Sequence, residues 1–296
     1  MSFRQEIRDT LIANRPKLTE KSLSSYISTL YNIPKKVTPD VNYNKITVKY
    51  FKQRVSKILE YLAPIPSHKR KTILSALYIL VDVSKYQEKM NEDIADSQEY
   101  YKSQQKSQKQ EENWIEWPEV LKVHDTLAGN SIRLFKKKNL TATDFNQLKH
   151  YILLSCFTQI EPRRVMDYSF MKIRNYDEET DNYYNENEFV FNRYKTASTY
   201  GQVHISIPEY LTTLLNIWIE INDSDFMIPT NKGTRTIESS ITKMFNKIFN
   251  KNISANMLRH SYLTHIYGSI PGINEMEERA KAMGHSVSQA LEYVKK

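Results

Sequence analysis

Hydrophobic positions recur at helical spacing along the first 83 residues. The segment from Val48 to Leu62 repeats apolar residues every three or four positions, which places them on one face of a helix. The residues on this face are Phe51, Val55, Ile58 and Leu62. Helices are also predicted over Phe3 to Ile12, Glu20 to Tyr31 and Ser67 to Val83, with Pro34, Pro39, Pro64 and Pro66 in the gaps. The pattern predicts a compact helical bundle over residues 1–83.

The composition changes after this bundle. Residues 84–113 contain no glycine or proline and mix acidic with basic residues in a polar tract. Such a tract is expected to be solvated and to have helical tendency. We interpret residues 84–113 as a polar linker, which leads to a second domain over residues 114–296.

In the second domain, helical spacing is interrupted by one stretch of strand-like alternation. From Glu188 to Ile207 apolar and polar residues alternate on either side of Gly201, which predicts a β-hairpin. Helices are expected to begin at Trp117 and after Thr141, and to span Glu209 to Ile221 and Ile237 to Phe249. The chain is therefore expected to be mainly α, with a helical N-terminal bundle and an α-rich second domain that carries a small antiparallel β-sheet.

Positive charge is concentrated at the N-terminus. The chain has a formal net charge of +8. Residues 1–83 contain 15 Lys or Arg and six Asp or Glu, a net charge of +9. A basic region of this kind suits double-stranded DNA, because each neutralised phosphate releases counterions. A basic surface that serves solubility is the alternative, and charge alone leaves both open.

Other features restrict the class of protein. No apolar run reaches the roughly 18 residues that a membrane span needs, and the N-terminus has no signal-peptide core. We therefore expect an intracellular protein with no membrane partner. The single cysteine, Cys156, lies in an apolar stretch and is expected to be buried and inert. One cysteine excludes an intramolecular disulfide and a zinc site built on cysteines.

Five short motifs occur in one order within the second domain. They are Glu-Pro-Arg-Arg-Val-Met-Asp-Tyr from Glu161, Arg-Tyr-Lys-Thr from Arg193, Asn-Met-Leu-Arg-His-Ser from Asn256, Met-Gly-His-Ser from Met283 and Leu-Glu-Tyr-Val from Leu291. The set resembles the tyrosine recombinases, whose catalytic domain carries Arg, Lys, His-x-x-Arg, His or Trp, and Tyr in this order. The resemblance covers residues 114–296 by motif, and the basic bundle is similar to the family's core-binding domain.

The resemblance implies six catalytic residues and no metal, ATP or other cofactor. They are Arg164, Lys195, Asn256, Arg259, His285 and Tyr293. Arginines suit this chemistry because they offer planar bidentate donors and stay protonated against the charge on a phosphodiester. Arg164 is preferred over Arg163 because it stands three residues before Asp167, which matches the family's spacing of arginine and acid.

The other roles also follow from the resemblance. Lys195 would protonate the leaving 5′ oxygen, His285 would donate a hydrogen bond to the scissile phosphate, and Tyr293 would attack phosphorus as the nucleophile. Asn256 stands where the family commonly has His or Lys, and an amide donates a hydrogen bond without charge or proton transfer. His260 and His265 are interpreted as packing residues.

The expected function is site-specific recombination or integration of DNA through a 3′-phosphotyrosyl intermediate, by a homotetramer on double-stranded DNA. A viral or mobile-element origin is expected, and the protein would be associated with DNA. Two alternatives remain open, a type IB topoisomerase-like enzyme that relaxes one duplex and a catalytically impaired DNA-binding protein of the same fold. The neutral Asn256 motivates the second alternative.

Overall fold

A computed structural model describes residues 2–282 and 286–288 of the chain. The described residues form two compact units. The first unit comprises the described residues up to Gln105 together with the described residues from Gly272 onward, and the second comprises Lys106–Pro271. Within the described residues, none of the helices is both long enough and apolar enough to cross a membrane.

The first unit is a helical bundle, as the spacing of its apolar residues predicts. Its helices are α1 (Phe3–Asn14), α2 (Glu20–Val37), α3 (Lys49–Gln53), α4 (Val55–Leu62), α5 (Ser67–Val81) and α6 (Ser84–Lys102). The side chains of Ser2 and Thr19 cap α1 and α2, since each accepts a hydrogen bond from a backbone N–H in the first turn. The core of the unit contains Ile7, Leu11, Leu30, Phe51, Ile58, Leu62, Leu74 and Leu77.

Two local expectations for this unit are wrong. Pro34 does not separate helices but lies inside α2, which continues to Val37. The buried face of α2 extends through Ile33 and Pro34, so tertiary packing overrides the helix-breaking tendency of proline. The predicted helix from Val48 to Leu62 is interrupted at Arg54, which separates α3 from α4.

Residues 84–113, expected to be a polar linker, form α6 and α7 (Gln108–Asn113). Helix α6 packs against α5 within the first unit. Tyr86 is buried and donates a hydrogen bond to the carbonyl of Phe51 at 2.8 Å. Asp93 is buried as well, in an ion pair with Arg70. Helix α6 thus contributes buried residues to the core of the first unit. The domain boundaries at residues 83 and 113, which separate a DNA-binding bundle from a catalytic domain, stay a prediction.

The second unit places a small sheet among helices. Its helices, after α7, are α8 (Trp117–Phe135), α9 (Ala142–Thr158), α10 (Val165–Ser169), α11 (Ala197–Tyr200), α12 (Glu209–Ile221), α13 (Glu238–Phe249) and α14 (Ala255–Tyr267). Thr141 and Asp144 form a capping box at the start of α9. Cys156 is fully buried in α9, as expected, and this burial raises the pKa of its thiol. The last described helix, α15 (Ile273–Ala282), belongs to the first unit.

The sheet contains four strands in the order β1-β2-β3-β4. They are β1 (Met171–Lys172), β2 (Asn182–Asn185), β3 (Glu188–Phe191) and β4 (Val203–Ser206). The predicted hairpin is confirmed, because β3 and β4 pair antiparallel with Phe189 opposite Ile205. Helix α11 lies in their connection, and β2 pairs antiparallel with β3 and β1 parallel with β2. The expected fold class, mainly α with a small sheet, is confirmed, but the sheet is mixed and not antiparallel as expected, because β1 pairs parallel with β2.

Candidate functional site

A cleft of about 410 Å³ lies in the second unit. Its walls come from the start of α10, from the β3–β4 connection and from α14. The lining residues include Glu161, Arg163, Arg164, Asp167, Tyr194, Thr196, Tyr200 and Arg259. Three segments that are distant in sequence therefore meet at one cleft, which holds three arginines.

Arg164 and Arg259 contribute positive charge to the same cleft. Arg164 directly precedes α10, and its carbonyl accepts a hydrogen bond from the backbone N–H of Asp167 at 3.0 Å. Arg259 lies on α14 and is half-buried. Burial, followed by the charge of Arg164, lowers the pKa of Arg259. The guanidinium of Arg259 nevertheless stays protonated at neutral pH, because an arginine titrates far above it.

Arg163, the neighbour of Arg164, contacts protein groups instead. Its Nε donates to Oδ2 of Asp167 at 2.9 Å, and the side chains of Arg163 and Asp167 are 19% and 1% exposed. Its guanidinium carbon also lies 4.0 Å from the ring centroid of Phe191 and 5.5 Å from that of Tyr194. Arg163 is therefore held by one acid and two rings, whereas no described residue makes a hydrogen bond or ion pair with the guanidinium of Arg164.

Asp167 links these arginines to the core of the unit. Burial raises the pKa of Asp167, and the charges of Arg163 and Arg164 act in the opposite direction. Oδ1 of Asp167 is buried without a hydrogen-bond partner among the described residues. The carbonyl of Asp167 accepts a hydrogen bond from the buried side chain of Asn182 at 2.9 Å. The carboxylate thus anchors Arg163, and Asn182 fixes the backbone that carries it.

Lys195 lies in the β3–β4 connection and is exposed. It stands between Tyr194 and Thr196, which both line the cleft, although Lys195 itself does not. The hydroxyl of Tyr194 donates to the carbonyl of Gly201 at 2.8 Å. Gly201 has a φ of +67°, a conformation that glycine adopts at little cost. These contacts fix the connection, so Lys195 projects from a defined segment beside the cleft.

Asn256 is exposed on α14, three residues before Arg259, and does not line the cleft. Its Nδ2 lies 3.2 Å from Nε2 of His260. The interpretation of His260 and His265 as packing residues is wrong, because both are exposed. The buried face of α14 is formed by other residues, namely Ala255, Met257, Leu258 and Ser261.

The remaining two predicted site residues, His285 and Tyr293, lie outside the described residues. The structure thus brings Arg164 and Arg259 together and places Lys195 next to them. Sequence reasoning missed Tyr194, Thr196 and Tyr200 as lining residues. The only signal for them was their position in the predicted hairpin, since Tyr194 and Thr196 flank Lys195 and Tyr200 precedes Gly201.

Comparison with known proteins concerns the fold. No protein-family model matches the sequence, and neither does any curated protein. A lambda integrase dimer bound to a COC′ core site has a TM-score of 0.50 at 15% identity, over 98% of this chain and 77% of that chain. Another lambda integrase dimer on a COC′ core site has a TM-score of 0.49 at 14% identity, over 93% and 92%. XerA recombinase has a TM-score of 0.38 at 12% identity, over 97% and 91%. The first of these similarities shows that the chain has the fold of lambda integrase, a tyrosine recombinase.

Proposed function

We propose that this protein is a site-specific DNA recombinase or integrase that cuts and rejoins DNA through a 3′-phosphotyrosyl intermediate. One observation carries the proposal: Arg164 and Arg259 line the same cleft, while Arg163 is paired with Asp167. Two guanidiniums therefore remain for an anionic ligand. A phosphodiester matches them, because each planar guanidinium can donate two hydrogen bonds to the oxygens of a phosphate.

In the proposed reaction, the phenol oxygen of Tyr293 attacks the scissile phosphorus and its proton passes to water. The bond between phosphorus and the 5′ oxygen breaks, and Lys195 donates a proton to that leaving oxygen. Arg164 and Arg259 stabilise the charge that develops on the non-bridging oxygens, and His285 adds a hydrogen bond. The new phosphotyrosyl ester conserves the energy of the broken bond. Attack by a 5′ hydroxyl on this ester rejoins the DNA and regenerates Tyr293.

The proposed partner is double-stranded DNA, bound by a homotetramer that holds two duplexes. The similar lambda integrase structure contains a dimer on core-site DNA, which supports a DNA partner. The net charge of +9 over residues 1–83 also favours a polyanion. We extend the proposal to a virus or mobile element as the source of the protein, a part that rests on the motif resemblance alone.

The decisive experiment traps the covalent intermediate. A duplex with a nick next to the cleavage position loses a short 5′-hydroxyl fragment after cutting, so the phosphotyrosyl adduct accumulates. We expect the wild-type chain to form this adduct and Tyr293→Phe to form none while still binding DNA. Tyr200→Phe is the matched control, because Tyr200 is an exposed tyrosine that lines the arginine cleft. An adduct formed by Tyr293→Phe would refute the assignment of the nucleophile, and loss of the adduct in Tyr200→Phe alone would point to Tyr200 instead.

A DNA-binding protein that does not cut is the second candidate, favoured by the position of Asn256. Asn256 is uncharged and exposed, and it does not line the cleft. A charged or proton-donating side chain at this position would assist cleavage, and an amide does not. This candidate predicts duplex binding without any adduct. Asn256→His tests the cause, since a gain of adduct formation in this variant would show that the asparagine limits cleavage.

A further inference from the structure

Two arginines of the second unit lie against a single aromatic ring. The guanidinium carbons of Arg193 and Arg235 are each 4.1 Å from the ring centroid of Phe170. The two carbons can therefore be no farther apart than twice this distance. Arg193 is exposed, and Phe170 and Arg235 are partly exposed, so an external ligand can reach the group. We name these three residues the Phe170 cluster.

The arginines of the Phe170 cluster have no ion-pair partner among the described carboxylates, although Asp181 interacts electrostatically with Arg193. Arg163 pairs with Asp167, and Lys172 pairs with Asp181 at 2.7 Å. Within residues 2–282 and 286–288, no carboxylate forms an ion pair with the guanidinium of Arg193 or Arg235. Attraction to the ring stabilises each cation, but the two like charges repel each other. An anion that contacts both guanidiniums at the edge of the ring would offset this repulsion.

The backbone of Arg193 is fixed to the cleft by Asn182, which is fully buried. Oδ1 of Asn182 accepts from the N–H of Arg193 at 2.6 Å, and its Nδ2 donates to the carbonyl of Arg193 at 2.9 Å. The same Nδ2 donates to the carbonyl of Asp167 on α10. One buried amide therefore connects the Phe170 cluster with the helix that follows Arg164.

Arg235 is held from the other side of the cluster. Its Nη1 donates to Oγ of Ser169 at 3.2 Å, and its backbone forms a bridge with Pro229. Lys149 is buried and donates from Nζ to the carbonyl of Pro229 at 3.1 Å, which ties this loop to α9. The backbone of Arg193 and the side chain of Arg235 are thus held before any ligand binds, and this lowers the entropic cost of binding.

We propose that the Phe170 cluster is a second phosphate-binding site, for a phosphodiester of the DNA backbone near the scissile one. This inference rests on the proposed function. A guanidinium stacked on a ring keeps the donors at its edge free, and these donors match phosphate oxygens. Arg164 and Phe170 flank the short helix α10, which rises by about 7 to 8 Å over its five residues. Phosphates of one strand rise about 3.4 Å per nucleotide, so we place the second phosphate within a few nucleotides of the scissile one.

The first test measures the affinity of the full chain for duplex DNA at several salt concentrations. The slope of the logarithm of affinity against the logarithm of salt falls by about 0.9 for each phosphate that the protein no longer neutralises. We expect Arg193→Gln with Arg235→Gln to reduce the slope by about one, because one phosphate is no longer neutralised. Arg133→Gln is the matched control for Arg193→Gln, because each removes one charge from an exposed position of the same unit. The control is expected to keep the wild-type slope.

The second test locates the phosphate. Duplexes that carry one uncharged methylphosphonate are compared at successive positions around the cleavage site. The wild-type chain is expected to bind less tightly when one particular phosphate within a few nucleotides of the scissile one is neutral, and the double variant is expected to show no such decrease. Arg193→Gln alone keeps the test valid if the double variant unfolds, because protein groups hold the backbone of Arg193 and not its exposed side chain.

The outcomes separate this inference from the proposed function. A wild-type slope in both Arg193→Gln and the double variant, with adduct formation intact, overturns the second phosphate site alone. An equal fall in slope for Arg133→Gln overturns it too, since net charge would then explain the effect. A wild-type chain that neither binds duplex DNA nor forms an adduct overturns the proposed function and this inference together.

Discussion

Removing the carboxylate of Asp93 tests whether α6 belongs to the core of the first unit. Oδ1 and Oδ2 of Asp93 accept hydrogen bonds from Nη2 and Nε of Arg70 at 2.6 and 2.8 Å. The side chains of Arg70 and Asp93 are 12% and 0% exposed. Nη1 of Arg70 also donates to the carbonyls of Ala63 and Ile65. The pair therefore connects α6 with the start of α5 and with the turn before it.

The expected cost of Asp93→Ala follows from this geometry. Breaking a buried ion pair costs about 3 to 5 kcal/mol when the remaining charge stays buried without a partner. Arg70 would keep its two carbonyl contacts and part of its exposure to water, so we expect the lower end of this range, about 3 kcal/mol. Asp96→Ala removes an exposed acid from the same helix and should change stability by less than about 0.5 kcal/mol.

Native-state hydrogen exchange of the α6 amides measures this destabilisation as a fall in the free energy of opening. Trp114, Trp117 and Trp218 all lie in the second unit, so their fluorescence during urea unfolding reports that unit separately. We expect Asp93→Ala to weaken protection in α6 while the tryptophan transition stays in place. Equal protection in Asp93→Ala and Asp96→Ala would refute the buried pair and would favour a solvated linker.

Three further predictions concern the cleft and its surroundings. Arg164→Ala and Arg259→Ala should each slow adduct formation by about a hundredfold or more. Arg163→Ala should mainly lower the free energy of unfolding, because it leaves Asp167 buried without its partner. A larger loss of adduct formation in Arg163→Ala than in Arg164→Ala would show that the wrong arginine was chosen. Excess EDTA should leave adduct formation unchanged, because arginines supply the charge that bound Mg²⁺ would supply, and a strict metal requirement would contradict this. Burial, followed by the charges of two nearby lysines, lowers the pKa of His150 from 6.5 to about 4. As pH falls, His150 binds a proton in the unfolded chain before it does so in the folded chain. The contribution of His150 to the free energy of unfolding is therefore fully present above pH 6.5 and falls by about 2 to 3 kcal/mol towards pH 4. In urea unfolding, the free energy of unfolding of His150→Asn should fall less between pH 6.5 and pH 4 than that of the wild-type chain. The same pH dependence in both would contradict the lowered pKa of His150.

The sequence predicted elements whose apolar residues face one local core. Helix α12 spans Glu209–Ile221 as its spacing indicates, and the alternation before and after Gly201 identified β3 and β4. Strand β2 was missed because its buried residues, Asn182, Tyr183 and Tyr184, do not alternate with polar ones. Strand β1 has only two residues, which is too short for any period to be visible. Periodicity thus found the elements with one buried face and missed those whose environment is set by distant segments.

The site was predictable as a set of residue types but not as a set of contacts. The order of the motifs selected Arg164 and Arg259, and the structure places both in one cleft. The contact of Arg163 with the ring of Phe191 joins residues 28 positions apart, so no local pattern could indicate it. The shared contact of Arg193 and Arg235 with Phe170 is of the same kind. Such pairs depend on tertiary packing, which the spacing of a motif does not specify.

The adjacent arginines of the cleft have different electrostatic environments, and Asp167 explains why. A buried carboxylate is costly unless a partner neutralises it, and Arg163 supplies both the charge and the hydrogen bond. Because Arg163 neutralises this carboxylate, neither Arg164 nor Arg259 forms an ion pair with it, and both remain available for a ligand. With Arg163 committed, the cleft keeps two guanidiniums that raise each other's energy, as the effect of Arg164 on the pKa of Arg259 indicates. In the proposed reaction a phosphodiester in the cleft would relieve this repulsion, and the ion pair between Arg163 and Asp167 would leave both guanidiniums available for it.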